Sequence, residues 1–172
     1  MPMRDSHESF WVYIMASSTG KPASDIELPA ESGEKASLYS IKAPFTLVII
    51  WDPTCTHCKH DLPIMDSLYN AEWKAMGVKV FAMATETDGK KNDWTSFIGK
   101  NNLNHDWINV YYSNKDDKKR TDEGLLGYGR LYDVTGFPTL YLLNKDKHII
   151  AKKVGYKQVS EILLQIQKGG NK

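Results

Sequence analysis

Residues Thr46 to Trp51 read TLVIIW, an unbroken apolar and β-branched run entered from Pro44. Both cysteines of the chain follow directly in Trp51 to Pro63, WDPTCTHCKHDLP. A run of strand length without polar alternation fits a strand buried on both faces, and such a strand needs a covering layer on each side. It also ends where the reactive side chains begin.

The pattern on either side extends this into alternating strands and helices. Leu62, Met65, Leu68, Tyr69 and Met76 recur at three- and four-residue spacing, predicting a helix that buries one face, stops near Gly77 and is kinked by Pro63. Val78 to Thr85 reads as a second strand, Asn92 to Asn102 as a helix and Trp107 to Tyr112 as a third strand. Ser113 to Gly127, SNKDDKKRTDEGLLG, reads as a mobile solvated loop, and Gly124 to Asp133 as a helix. Thr139 to Leu143 and His148 to Val154 flank a polar turn as a hairpin, and a last helix buries Val159, Ile162, Leu163 and Ile166. Upstream, Ile26 to Leu28 and Ala36 to Tyr39 suggest a small hairpin. The order implies an α/β chain: a central mixed β-sheet flanked by helices, with an N-terminal β-hairpin extension.

With 172 residues, 41% apolar and 25% charged, the chain suits one globular domain with a sizeable core. Residues 21–168 are expected to form it, with 1–20 a linker or remnant of a longer precursor and 169–172 a flexible tail. Lys and Arg number 22 against 21 Asp and Glu, so the net charge of +1 gives no reason to expect nucleic acid or an anionic membrane as partner. No apolar run approaches the roughly 20 residues that span a bilayer. The first sixteen residues include Asp5 and Glu8 and only a short apolar piece, unlike a signal peptide.

Two cysteines three positions apart cannot staple distant segments, so their purpose is local chemistry. Haem attachment needs a histidine directly after the second cysteine, and Lys59 stands there. Zinc has competent ligands in Cys55, His57, Cys58 and His60, but four ligands within six residues at a helix start converge poorly, which leaves metal as the minor reading. A dithiol pair is the major one. At the first turn of a helix, unpaired N–H groups and the positive dipole end favour an anion, making Cys55 the nucleophile. Cys58, one turn further in, is placed to attack a mixed disulfide formed at Cys55.

These residues resemble the thioredoxin superfamily, and within it the TlpA and ResA types of thiol-disulfide oxidoreductase from the bacterial cell envelope. The resemblance runs from about Gly20 to Gln167. It rests on WDPTCTHCKHDLP with Pro63 in the helix, and on Phe137, Pro138 and Thr139 where the family has its cis proline. It implies a thioredoxin-like fold and an envelope or periplasmic location. It further implies protein thiols or disulfides as substrates, an upstream electron-donating thiol-disulfide protein, and no cofactor. Pro138 would face the cysteines, and the Phe137 backbone would pair with the bound substrate chain. His57, at the position of the thioredoxin motif's proline, would tune the redox potential. Trp51 and Asp52 would lie at the mouth of the site, with Trp51 partly contact surface. His60 is expected to be a solvated helix residue.

The sequence also departs from the family. Thioredoxin has a buried aspartate six residues before its first cysteine, where Ile49 stands here. The resemblance offers Glu86, just after the second strand, as proton acceptor for Cys58. A peroxide reductase of the same branch needs a threonine three residues before the nucleophile; that position is Asp52. A redox-inactive or metal-holding binding module of this fold is the remaining alternative.

Overall fold

The computed structural model describes residues 18–86, 91–103 and 105–170. Expectations for residues 1–17 lie outside these, as do the last two residues of the tail. Five strands form the central sheet: β3 (Phe45–Trp51), β4 (Val78–Thr85), β5 (Ile108–Tyr112), β6 (Thr139–Asn144) and β7 (Ile149–Lys152), in the order β5-β4-β3-β6-β7. β3 runs parallel to β4, and β4 to β5, whereas β6 is antiparallel to both β3 and β7. A separate pair, β1 (Glu27–Pro29) and β2 (Lys35–Ser37), makes the N-terminal hairpin.

β3 is central and sealed on both faces, as its composition requires. Leu47, Ile49 and Trp51 join one core cluster, and Val48 and Ile50 join the other. The first cluster lies under α1 (Thr56–Leu68), α2 (Lys91–Asn101) and α5 (Tyr156–Gly169), which contribute Leu62, Met65, Trp94, Ile98, Val159 and Leu163. The other is closed mainly by the N-terminal segment, through Ile26, Leu28 and Leu38, and by Tyr128 and Tyr132. Among the described residues, the 3-10 turn Leu38–Ser40 and the short α4 (Tyr128–Leu131) supply the helix there. On α5 the expected apolar stripe is narrower than predicted, since Ile166 remains 40% exposed.

The expected helix down to Met76 divides in two. The α-helix α1 ends at Leu68 and a π turn follows at Tyr69–Trp73, with Lys74 N–H donating to Tyr69 O at 2.9 Å. Spacing alone does not separate these, because residues i and i+4 share a face in both. Tyr69 and Trp73 are fully buried, and Trp73 Nε1 donates to Ser160 Oγ at 2.9 Å, tying this turn to α5. Gly77 ends the segment at φ +86°, where a Cβ would come within 2.7 Å of Pro44 Cγ. α1 runs through Pro63, which has no N–H to donate within the helix.

The stretch after β5 corrects the loop expected at 113–127. Asn114–Asp122 forms α3, which buries no residue and so lacks the apolar period that reveals most helices. Its ends hold it instead: Ser113 and Asp116 form a capping box, acidic residues occupy the first turn, and Lys119 and Arg120 occupy the last. Arg120 donates to Leu126 O and lies 4.0 Å over the Tyr128 ring. The helix expected at 124–133 is accordingly reduced to α4, because the Leu126 carbonyl and the Gly127 cap are used in the connection.

Candidate functional site

The site forms where β3 and β6 end side by side. Ile50 pairs with Thr139, so extending this antiparallel register by one residue brings Pro138 opposite Trp51. The Phe137–Pro138 peptide bond is cis. After β3 the chain turns through Asp52–Cys55, closed by Cys55 N–H donating to Asp52 O at 3.0 Å, and enters α1. Cys55 is the N-cap of that helix, and its Sγ accepts the Cys58 N–H at 3.4 Å. The same Sγ lies 3.8 Å from the carbonyl oxygen of Phe137. A partly exposed sulfur thus sits between a helix N-terminus and the turn before β6.

Cys58 differs in every respect that matters for a thiol. It is fully buried among Trp51, Leu62 and Leu140. Burial pushes its pKa well above the ordinary thiol range. The Asp52 backbone N–H pulls the other way, whereas Cys55 and the Asp52 carboxylate push it higher. Asp52 itself is only 4% exposed, and its Oδ1 accepts both the N–H and the hydroxyl of Thr54 at 2.8 Å.

Cys55, Cys58, Phe137 and Pro138 are therefore brought together, and the other expected residues are placed less closely. His57 is exposed on the first turn of α1, and His60 is exposed beside Asp61 at 2.9 Å. Trp51 corrects its expected place at the mouth: it is fully buried, because strand alternation turns it under α2, where it meets Phe97 with ring centroids 5.5 Å apart. Glu86, expected to act on Cys58, directs Oε2 to the Asn114 N–H at 2.8 Å, at the start of α3. Among the described residues no group of three His, Cys, Asp or Glu side chains is arranged to hold a metal ion.

Sequence reasoning missed a cavity of about 370 Å³ on the other side of Pro138. Asp61, Met65, Pro138, Leu140, Tyr156 and Lys157 line it. It joins α1, β6 and the start of α5, so no local motif announces it; packing between distant segments creates it.

Comparison with known proteins bears on the family and the fold. The AhpC/TSA family matches residues 19–152. A relative from Bacillus thuringiensis (strain Al Hakam), named thiol-disulfide oxidoreductase ResA, is 27% identical over 137 residues, covering 79% of this chain and 69% of that protein. A solved domain of a possible thiol-disulfide isomerase from Cytophaga hutchinsonii ATCC 33406 superimposes with a TM-score of 0.74. It is 30% identical, over 90% of this chain and 96% of that one. The solution structure of a thiol:disulfide interchange protein from Bacteroides sp. gives a TM-score of 0.67 at 25% identity, with 87% and 92% covered.

Proposed function

Because the chain belongs to the AhpC/TSA family and has a thioredoxin-like fold, we propose that it exchanges disulfides with other proteins as a thiol-disulfide oxidoreductase, through Cys55 and Cys58. The observation that carries this is the contrast between the two sulfurs: Cys55 is reachable at a helix N-terminus and Cys58 is sealed directly behind it.

In the reducing direction, the Cys55 thiolate attacks one sulfur of a substrate disulfide and forms a mixed disulfide, releasing the first substrate thiolate. The Cys58 sulfur, having lost its proton, then attacks Cys55 Sγ. This closes the Cys55–Cys58 disulfide and releases the second substrate thiolate, which takes up a proton. The dithiol gives two electrons and the substrate disulfide gains two. An upstream thiol-disulfide protein must then return the pair to the dithiol state.

The peptide groups of Phe137 give an extended substrate chain a place to pair beside Cys55, with Pro138 facing the sulfurs. The adjoining cavity, with the Asp61 carboxyl and the Lys157 amine among its lining residues, is suited to a side chain of that substrate. His57, exposed on the first turn of α1 between the two cysteines, is the residue of the motif placed to tune the redox potential of the pair. We read the enzyme as a reductase of a bacterial cell envelope, as its ResA-like relatives suggest.

The test is a trap. Cys58→Ser should accumulate substrate proteins disulfide-linked to Cys55, and the intact protein should reduce insulin. If neither occurs, and a dithiol peptide is not oxidised either, the exchange reading is wrong. A redox titration followed by Trp51 fluorescence sets the direction: a potential near the roughly −270 mV of thioredoxin fits a reductase, and one near about −120 mV an oxidant.

A further inference from the structure

Resolution of the mixed disulfide has a proton problem. Cys58 must lose its proton inside a closed apolar cluster, and the position of thioredoxin's buried aspartate is occupied by Ile49, itself fully buried. Glu86 has turned its carboxylate to the N-terminus of α3. We propose that Asp52, buried in the turn between β3 and α1, is the proton acceptor for Cys58 when that thiol attacks the mixed disulfide at Cys55. This rests on the exchange reading and names one further group in its second step.

The geometry is built around that turn. Asp52 holds Cys55 through its carbonyl, at 3.0 Å from the Cys55 nitrogen, and its own backbone N–H points to the Cys58 thiol. Its carboxylate is fixed by the Thr54 N–H and hydroxyl, both donating to Oδ1 at 2.8 Å. Burial does most to raise the Cys58 pKa, and the Asp52 charge adds to it in the same direction. Other titratable groups face it as well. Cys55 and Cys58 lie at the start of α1, and Tyr111 of β5 feels the Asp52 charge together with those of Glu86 and Asp93. A carboxylate held this way can take the Cys58 proton as the sulfur attacks Cys55 Sγ. The backbone N–H of the same residue stabilises the developing thiolate. Once the Cys55–Cys58 bond has formed, Asp52 returns the proton to the departing substrate thiolate, so no external acid is consumed.

Two effects of Asp52 oppose each other, and this makes the assignment testable. As a mere neighbouring charge it disfavours the Cys58 thiolate, so removing it should speed resolution. As proton acceptor it assists resolution, so removing it should slow that step. Asp52→Asn keeps an oxygen for the Thr54 bonds and loses the base. The reduced protein is mixed with a small aromatic disulfide whose released thiolate is coloured, giving one phase for attack by Cys55 and a second for resolution by Cys58.

At neutral pH the ratio of second-phase to first-phase rate should fall about 100-fold in Asp52→Asn, the gap closing in alkali as hydroxide takes over. Asp52→Glu, with a carboxylate on a longer arm, should recover part of the loss and shift the acid limb of the second-phase pH profile. An unchanged or raised ratio in Asp52→Asn overturns the assignment, as does a Glu variant no faster than the Asn one. The outcome is separable from the broader reading: a wild type showing both phases with the small disulfide, yet never reducing a protein disulfide, would defeat only the protein-substrate claim.

Discussion

The sulfur of Cys55 meets the carbonyl oxygen of Phe137 at 3.8 Å across 82 residues of chain. That single approach joins the turn after β3 to the turn before β6. Cys58 lies behind it without exposure. The arrangement separates a partly exposed sulfur from a sealed one, and it has consequences that can be measured.

The first concerns alkaline stability. The fold holds Cys58 as the neutral thiol and raises its pKa, chiefly by burial. The unfolded chain releases that proton near pH 8.5, so the stabilisation is complete below about 8.5 and declines as the pH rises above it. Urea unfolding of the reduced protein should show stability falling by at most about 1.4 kcal/mol per pH unit from this group. Cys58→Ser should flatten the slope between about pH 8.5 and 10. Tyr112, also raised by burial and by its bond to Asp117, adds its own loss only above about pH 10.

Trp73 ties the π turn to α5 through its bond to Ser160 Oγ, and its ring is fully buried. Trp73→Phe removes that bond and leaves unfilled volume. Denaturant unfolding should give a loss of about 2 kcal/mol, combining the hydrogen bond and the cavity. Ser160→Ala alone should leave the indole N–H unpaired and cost roughly 1–3 kcal/mol.

Gly77 turns the chain from the π segment into β4 with a positive φ and with Pro44 against its α-carbon. Gly77→Ala adds left-handed strain of about 1–2 kcal/mol to a steric contact. A melting temperature unchanged by this substitution would contradict the packing described at Pro44.

The helix α3 owes its existence to its ends. Ser113→Ala removes the N-cap acceptor and should cost about 1 kcal/mol locally. Amide exchange should accelerate across Asn114–Asp122 while the protection of β3 and β4 is retained. Uniform acceleration over the whole chain would show instead that α3 is coupled to global unfolding.

What could be read in advance follows from which forces leave a local trace. β3 announced itself because a doubly buried strand is written as consecutive apolar residues, and the cysteines after it announced a helix N-terminus. α3 could not be seen this way, since seven of its nine residues are charged and it packs no apolar face. Trp51 was misplaced because a tryptophan beside a reactive motif suggests a contact surface, whereas strand alternation decides which side it faces. The role that the resemblance offers Glu86 rests on chain position alone; a hydrogen bond from the Asn114 N–H, 28 residues away, fixes where its carboxylate points. Asp61 and Tyr156 meet around the same cavity only through the docking of α5.

The segment before β3 touches both outer strands. Gly20 and Lys21 hydrogen-bond to Ile149 at the start of β7, while Ala30, ten residues on from Gly20, bridges to Val110 in β5. One short ribbon therefore crosses beneath the whole sheet and acts as a clasp at its two rims. Proteolysis within it would bare unpaired strand edges at opposite sides in one event. Clipped molecules would be prone to stack through those rims into aggregates, even with the cysteine pair untouched.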